Sequence, residues 1–425
     1  MVYVRYKYNL AGGKFFVEPQ QITGDAVEGS MATEQSTDFL PHHKLRLLNG
    51  GEPLFSLVIQ LIDNARESIH LQVYIFEDDE TGQRVADALV GAAKRGVAVY
   101  VLVDGYGSQQ LSRAFRTRLI GEGVHFRIFE PLFRGKRFYI GRRMHQKLLV
   151  VDAQYAVVTG ANIGNRYNDM PGQPAWLDFA VCVEGEVAQK LCELCWTTWK
   201  NFARIRYMPK QCKPADVSID FGHTHEGGVR MRRNDWVRRK SEITRTYREL
   251  FRNARERIIL VSSYFLPGAT VRRDMSNAVK RGVNIQVIVC SRMDVPLVKD
   301  AERSLYEWLL RHGIEIYEYT GDMLHGKLAV CDTEWMTVGS YNMNELSARV
   351  SVELNLDVRE KDLVQRTVDR LNALMDTQCV RVSNDSFAAQ TTFMARIFRG
   401  MALRILRLIF FLGTFYMKQE KYRGT

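Results

Sequence analysis

Apolar positions along this chain follow two periods, and the order of those periods occurs twice. LRLLNGGE, from Leu45, predicts a short strand and a turn. LFSLVIQLIDNARESI, from Leu54, carries apolar residues at helical spacing, and IHLQVYIF, from Ile69, reads as a buried strand. Residues 84–94 are helical, Gly96 breaks the helix, and VAVYVLVD is the next strand; FRTRLIGEGVHFRIFE adds a further helix and strand. The same order returns from Val229: VRMRRND, a helical ITRTYRELFRNARERI, the strand IILVSSYF, a helix over 275–281 stopped by Gly282, the strand VNIQVIVC, and SLYEWLLRHGIEIYEY. Some matches are literal: NARESI at 64–69 against NARERI at 253–258, and KRGV at 94–97 against 280–283. This alternation predicts an α/β protein of two duplicated lobes, each a mostly parallel β-sheet flanked by helices.

Both lobes then reach the same motif. Residues 144–162 read MHQKLLVVDAQYAVVTGAN and residues 324–342 read LHGKLAVCDTEWMTVGSYN. Each holds H-x-K-x-x-x-x-D, as His145, Lys147 and Asp152, then His325, Lys327 and Asp332, with Asn162 and Asn342 at matching distances. Side chains i and i+2 of a strand share a face, so each His lies beside its Lys. The apolar run after each Lys suits a strand buried on both faces. The Asp has odd offset and precedes a turn, where it is better placed to hold structure than to join the His–Lys face. A hairpin return brings the Asn back beside the pair. A lone His on an apolar strand is more often a satisfied core residue than a catalyst. Two copies, 180 positions apart with the same spacing, overturn that prior.

Composition narrows the partner. The chain has 425 residues, a formal net charge of +11 and a hydrophobic content of 46%. The charge favours an anionic partner: nucleic acid, acidic lipid or a phosphorylated substrate. Seven scattered cysteines give no disulfide framework and fit a reducing, cytosolic side. Cys192 and Cys195 lie in a helical KLCELCWTTW, as a buried face rather than a zinc site. Residues 1–43 read as a loose lead-in without a signal peptide or transmembrane stretch, and Met31 is an alternative start.

The duplicated H-x-K-x-x-x-x-D with its G-S-x-N-like tail resembles the phospholipase D superfamily over 44–361. VYIFEDDETG, VLVDGYGS, RRMHQK, YFLPG and MLHGK resemble the bacterial cardiolipin synthases, most of all their B type. The resemblance implies that the two motifs meet at a pseudo-two-fold interface and form one active site. One imidazole attacks the phosphodiester phosphorus to give a phosphohistidine; the other protonates the leaving alcohol and deprotonates the incoming one. His145 is implied as nucleophile and His325 as acid/base, although nothing in the sequence breaks their symmetry. His145, Lys147, Asp152, His325, Lys327 and Asp332 form the implied catalytic set, with a turn-fixing role as the other reading of both Asp residues. Lys ammoniums and the Asn162 and Asn342 amides suit the non-bridging oxygens, so no metal and no cofactor is implied. Each imidazole needs its second nitrogen held. Glu353 in SVELNL stands where the family places such an acid, 28 residues after His325; the first lobe offers Asp178 in WLDFAV, displaced by a longer loop. Ser340 faces Gly160 in the alignment of the tails, so only Ser340 offers a hydroxyl to phosphate.

The basic run Arg134, Lys136, Arg137, Arg142 and Arg143 reads either as solvated surface or as an entrance for an anionic headgroup, and 230–240 as lobe surface and linker. The tail, FMARIFRGMALRILRLIFFLGTFYM at 393–417, is an amphipathic helix. Phe393, Met394, Ile397, Phe398, Met401, Ile405, Leu408, Ile409 and Leu412 share one face, with Arg396, Arg399 and Arg407 opposite and Arg404 as an exception. Its apolar run is too short to span a bilayer, so it is expected to lie in the interface, with packing on the protein body as the alternative. The domain order expected is lead-in 1–43, lobes 44–215 and 216–385, and tail 386–425. The expectation is a peripheral phosphatidyltransferase on the cytoplasmic face of the cell membrane, making cardiolipin and glycerol from two phosphatidylglycerol molecules. Anionic phospholipid is the implied partner and nucleic acid is not. The alternatives are a lipid hydrolase or nuclease of the same superfamily, and a catalytically dead membrane scaffold.

Overall fold

The computed structural model describes residues 39–131, 133–134, 137–138, 142–200, 212–215, 217–344, 347–348, 351–389 and 391–423. The first lobe contains β1 (Leu40–Asn49), β2 (Ser68–Val73), β3 (Ala98–Asp104), β4 (His125–Phe129), β5 (Lys147–Val151), β6 (Tyr155–Thr159) and β7 (Phe179–Glu184). They lie in the order β4-β3-β2-β5-β6-β7-β1. The second lobe repeats this with β8 (His225–Asp235), β9 (Arg257–Ser262), β10 (Asn284–Cys290), β11 (Glu315–Tyr319), β12 (Lys327–Cys331), β13 (Trp335–Gly339) and β14 (Ser351–Arg359). Their order is β11-β10-β9-β12-β13-β14-β8. β1 pairs antiparallel with β8, so one sheet runs through both lobes. The first strand begins inside the segment read as a lead-in.

The sheet is mixed rather than mostly parallel. Helix crossovers keep β2, β3 and β4 parallel, and likewise β9, β10 and β11. The tight turns after β5 and β12 return the chain at once, and such connections give only antiparallel pairs. The crossover helices are α1 (Glu52–Asn64), α2 (Glu80–Lys94) and α3 (Arg113–Gly121) in the first lobe. In the second they are α5 (Glu242–Asn253), α6 (Ala269–Lys280), α7 (Pro296–Arg303) and α8 (Tyr306–Arg311); α4 (Glu186–Trp199) and α9 (Lys361–Gln378) follow the last hairpin strands.

Both faces of the H-x-K strands are buried, as their apolar runs require. Leu149 and Val151 join the outer core of the first lobe, whereas Leu148 and Val150 join a central core shared with Leu328, Val330, Val338 and Leu356 of the second. Ala329 and Cys331 complete the outer core of the second lobe. The central core holds the lobes face to face and fixes the relative position of the two motifs.

Three expectations need correction. Cys192 is paired as a disulfide with Cys212, at a Cα–Cα distance of 5.6 Å. The two cysteines are 20 positions apart, and their proximity is tertiary, which cysteine spacing does not encode. Arg230 is not surface: it is buried, donating to Asp357 at 2.7 Å and Glu249 at 2.6 Å. The tail helix, α11 (Phe393–Arg423), follows a short α10 (Asn384–Ala389) and packs against α7. Ala402 and Leu406 are buried in the outer core of the second lobe. Arg399 turns inward with them, onto Thr391 Oγ1 at 2.9 Å and over the Phe387 ring. The predicted apolar face from Phe393 to Leu408 stays exposed. Side chains beyond Leu408 lie outside the described residues, as do those at 132–141 in the first basic run.

Candidate active site

The two motifs are strapped to each other's lobes by backbone. Arg143 and Met144 pair in parallel with Ser351 and Val352 of β14, and His145 N–H donates to the Val352 carbonyl at 2.9 Å. The mirror contact joins Leu324 to Leu177, and His325 N–H donates to the Leu177 carbonyl at 2.8 Å. Val352 precedes Glu353 and Leu177 precedes Asp178, so each strap delivers an acid to the opposite histidine. His145 Nδ1 lies 2.9 Å from Glu353 Oε2, and His325 Nδ1 lies 2.7 Å from Asp178 Oδ2. Sequence order sets each acid downstream of its own lobe's histidine; the fold crosses them. Both Nε2 atoms are left to face other groups.

The two lysines sit beside the imidazoles, as their i+2 spacing predicts. Lys147 Nζ donates to the His145 carbonyl at 2.7 Å and stands 5.3 Å from the Tyr74 ring centre. Lys327 Nζ donates to Ser263 Oγ at 3.0 Å and to the His325 carbonyl, and lies 2.9 Å from His325 Nδ1. Both ammoniums are almost wholly buried. Burial, and for Lys147 also the Lys327 charge, brings their pKa values down to about 7 and about 8. Burial also lowers the His145 pKa, against the pull of Glu353. Burial and the two lysines hold His325 well below its ordinary value, and burial pushes the Asp178 carboxyl up to about 6. Neutral imidazoles beside cationic lysines form a site that favours an anion carrying an electrophilic centre.

The remaining expected residues divide. Asn342 lies at the end of its hairpin, and its Oδ1 is buried without a partner among the described residues. Asn162 is engaged, with Oδ1 accepting from Ile75 N–H at 3.1 Å and Nδ2 donating to Tyr167 OH at 2.9 Å. Ser340 donates to Glu353 Oε2 at 2.5 Å, so its hydroxyl is committed to the acid that holds His145. Gly160, its counterpart, makes room for the shorter Asp178: a Cβ there would stand 2.3 Å from Asp178 Oδ1. Asp152 and Asp332 do not join the site. Both sit at left-handed φ, at 53° and 50°. Asp152 accepts from the Arg66, Glu67 and Ser68 N–H groups, and Asp332 from those of Arg255, Glu256 and Arg257. Each thus ties its hairpin turn to the backbone at the start of β2 or β9, within the NARES and NARER segments.

Several neighbours were given no individual role by the sequence, although Tyr74 and Asp104 lie in strings that carry the resemblance. Tyr74 stands 5.0 Å from His145, and Tyr167 and Trp176 stand 5.3 and 5.9 Å from His325, ring centre to ring centre. Asp104, at the end of β3, accepts the Met144 N–H at 2.8 Å and so fixes the residue before His145. Burial pushes its carboxyl up to about 6. Arg142 and Arg143, read as surface or entrance, contact acids instead, at 3.2 Å from Asp235 and 3.6 Å from Asp104.

A family model described as "Cardiolipin synthase, PLD-like domain" matches residues 58–174 and 247–375, one segment in each lobe. The chain belongs to this phospholipase D-like family. Cardiolipin synthase B of Escherichia coli (strain K12) is 32% identical over 351 residues, covering 82% of this chain and 84% of that protein. The protein of the same name from Salmonella typhimurium is 33% identical over the same length. Cardiolipin synthase of Halalkalibacterium halodurans is 29% identical, covering 79% of this chain and 67% of its own. Among solved structures, phosphatidylserine synthase of Haemophilus influenzae aligns with a TM-score of 0.67 at 14% identity, covering 87% of this chain and 95% of that one. That last likeness is one of fold. The two family segments between them contain both histidines, both lysines and Glu353, while Asp178 lies four residues past the end of the first.

Proposed function

We propose that this member of the cardiolipin synthase family transfers a phosphatidyl group from one phosphatidylglycerol to the terminal hydroxyl of another, releasing glycerol. The observation that carries this reading is the crossed pair of histidine–acid dyads, with two buried lysines between two lobes. His145 Nε2 attacks phosphorus, and the P–O bond to glycerol breaks as His325 supplies its proton. His325 then takes the proton of the second lipid's hydroxyl, that oxygen attacks phosphorus, and the P–N bond breaks to give cardiolipin. Lys147 and Lys327 bear the charge on the non-bridging oxygens, most strongly in the two transition states.

The local geometry supports this division of roles. Glu353, steadied by Ser340, accepts from His145 Nδ1 and leaves a lone pair on Nε2. Asp178 Oδ2 stands 2.7 Å from His325 Nδ1 and accepts its proton, so the proton that His325 gives and takes is the one on Nε2. The bound phosphodiester's negative charge opposes the lysines' effect and raises the protonated fraction of His325 in the complex.

Membrane association is peripheral in this reading, on the cytoplasmic face. No helix among the described residues is long and apolar enough to cross a membrane. α11 is docked through Ala402 and Leu406 and presents Phe393, Met394, Ile397, Phe398, Met401, Ile405 and Leu408 outward. Exposed arginines beside that face suit an anionic lipid surface. Product analysis on phosphatidylglycerol vesicles tests the function. The expected products are cardiolipin and glycerol, both absent with His145→Ala. Phosphatidic acid alone identifies a hydrolase, and no lipid product defeats the proposal.

A further inference from the structure

A second concave site gathers positive charge, and none of the active-site residues described above lines it. β14 leads away from Glu353 to Arg359, and α9 begins just beyond it. There Arg366, Thr367 and Arg370 of α9 line a cleft of about 280 Å³ together with Arg46 of β1 and with His223 and His225. The cleft spans the β1–β8 seam, with one guanidinium from the first lobe and two from the second.

Several guanidiniums inside the fold meet acids, among them Arg230 with Asp357, Arg248 with Asp274 and Arg303 with Glu318. Arg366 and Arg370 lie one helical turn apart on α9 and make no hydrogen bond or ion pair among the described residues. Arg46 is fixed by donating Nη1 to the Phe221 carbonyl at 2.5 Å. The backbone is shaped around it: Gly222 has a φ of +88°, and a Cβ there would stand 2.7 Å from Arg46 Nη1. Glu360, a carboxylate beside the cleft, is already engaged. It lies 3.2 Å from His225 Nδ1 and accepts the Asp362 and Leu363 N–H groups at the start of α9. The imidazoles of His223 and His225 stack edge to face at 5.0 Å.

Three guanidiniums around one partly desolvated cleft repel one another, and a polyvalent oxyanion reverses the sign of that interaction. Guanidinium also matches phosphate through paired N–H donors. We propose that this cleft binds a phosphate-bearing anion, with Arg46, Arg366 and Arg370 as its ligands. The ligand's essential feature is the phosphate oxyanion, whether on a lipid headgroup or free in solution. The inference does not rest on the transfer reaction, because binding here is read without turnover.

The test uses the full chain carrying His145→Ala, so that no substrate is consumed. It is titrated calorimetrically with inorganic phosphate, and separately with dihexanoyl phosphatidylglycerol below its micelle concentration. The His223 and His225 ring protons are followed by NMR. Arg366→Gln/Arg370→Gln in the same background is expected to weaken binding at least about tenfold and to abolish the imidazole shifts. Arg46→Gln, on the other lobe, should do the same without touching α9. A response to both probes identifies a site for phosphate itself, and a response to the lipid alone identifies a headgroup site. Isotherms and imidazole signals that are unchanged by these substitutions with both probes overturn the proposal.

Discussion

Replacing Gly160 by alanine should disable His325, a residue of the other lobe. The added Cβ would meet Asp178 Oδ1 at 2.3 Å, Oδ2 at 2.9 Å and Cγ at 3.0 Å. A tolerable contact lies near 3.3 Å, so the carboxylate must retreat by about 1 Å. Its 2.7 Å hydrogen bond to His325 Nδ1 then stretches beyond bonding range. The Phe179 N–H, now 2.8 Å from Asp178 Oδ1, loses its acceptor as well. Overpacking of this kind costs about 1–3 kcal/mol of stability. A catalytic group misplaced by about 1 Å costs on the order of 10²-fold, and loss of the acid behind a catalytic histidine costs about 10⁴-fold. The expected fall in kcat is therefore about 10² to 10⁴, with little change in KM, measured as cardiolipin release from mixed micelles. Gly160→Ser alone should fail in the same way. Gly160→Ser with Asp178→Glu copies the Ser340–Glu353 pair and should recover at least about tenfold over the single variant. A Gly160→Ala enzyme within about threefold of the parent kcat would refute the claim that Asp178 orients His325 across the lobes.

The buried lysines set two further expectations. The fall of the Lys147 pKa from the usual 10.5 to about 7 corresponds to about 4–5 kcal/mol of lost stability below pH 7. Between those values the unfolded chain holds more protons, so stability rises with pH through that window. Lys147→Met should accordingly be inactive yet more resistant to urea at pH 6; a lower midpoint contradicts the burial argument. In the free enzyme, kcat/KM should fall at acid pH with an apparent pKa below 6.5, as His145 protonates. It should fall again above about pH 7 as the lysines lose charge, and a plateau to pH 9.5 speaks against their role. Asp332→Ala removes the acceptor of three backbone N–H groups and should cost about 2–4 kcal/mol in denaturant titrations. The folded fraction should keep its kcat, and loss of turnover at full folding would return Asp332 to the catalytic set. Phe398→Asp/Ile405→Asp on α11 should abolish sedimentation with anionic vesicles while short-chain lipid is still turned over; undiminished sedimentation removes that face from the membrane.

Much of this was legible because it is periodic. Duplicated helix and strand patterns place β2 to β6 and β9 to β13 almost residue by residue, and the H-x-K spacing puts each lysine against its histidine. What escaped is relational. The resemblance supplied the acids, but only the tertiary strap through Leu177 and Val352 says that they cross between lobes. The Cys192–Cys212 pair, the burial of Arg230 and the Asp104 contact to Met144 likewise join segments that no local period connects. Asp152 and Asp332 belong to the motif without belonging to the chemistry: their odd offset sends the carboxylates to the turns and the β2 and β9 amides. α11 was ambiguous because its two apolar stripes serve two surfaces, one buried on α7 and one exposed.

The division of roles between the histidines is tested most directly by trapping the covalent intermediate. A phosphatidyl p-nitrophenol substrate needs no acid to release its leaving group. With His325→Ala, the account predicts a burst of about one equivalent of p-nitrophenol and a phosphohistidine mapped to His145. With His145→Ala it predicts neither. A burst in His145→Ala with the label on His325 would reverse the roles, and no covalent adduct in either variant would contradict the account itself.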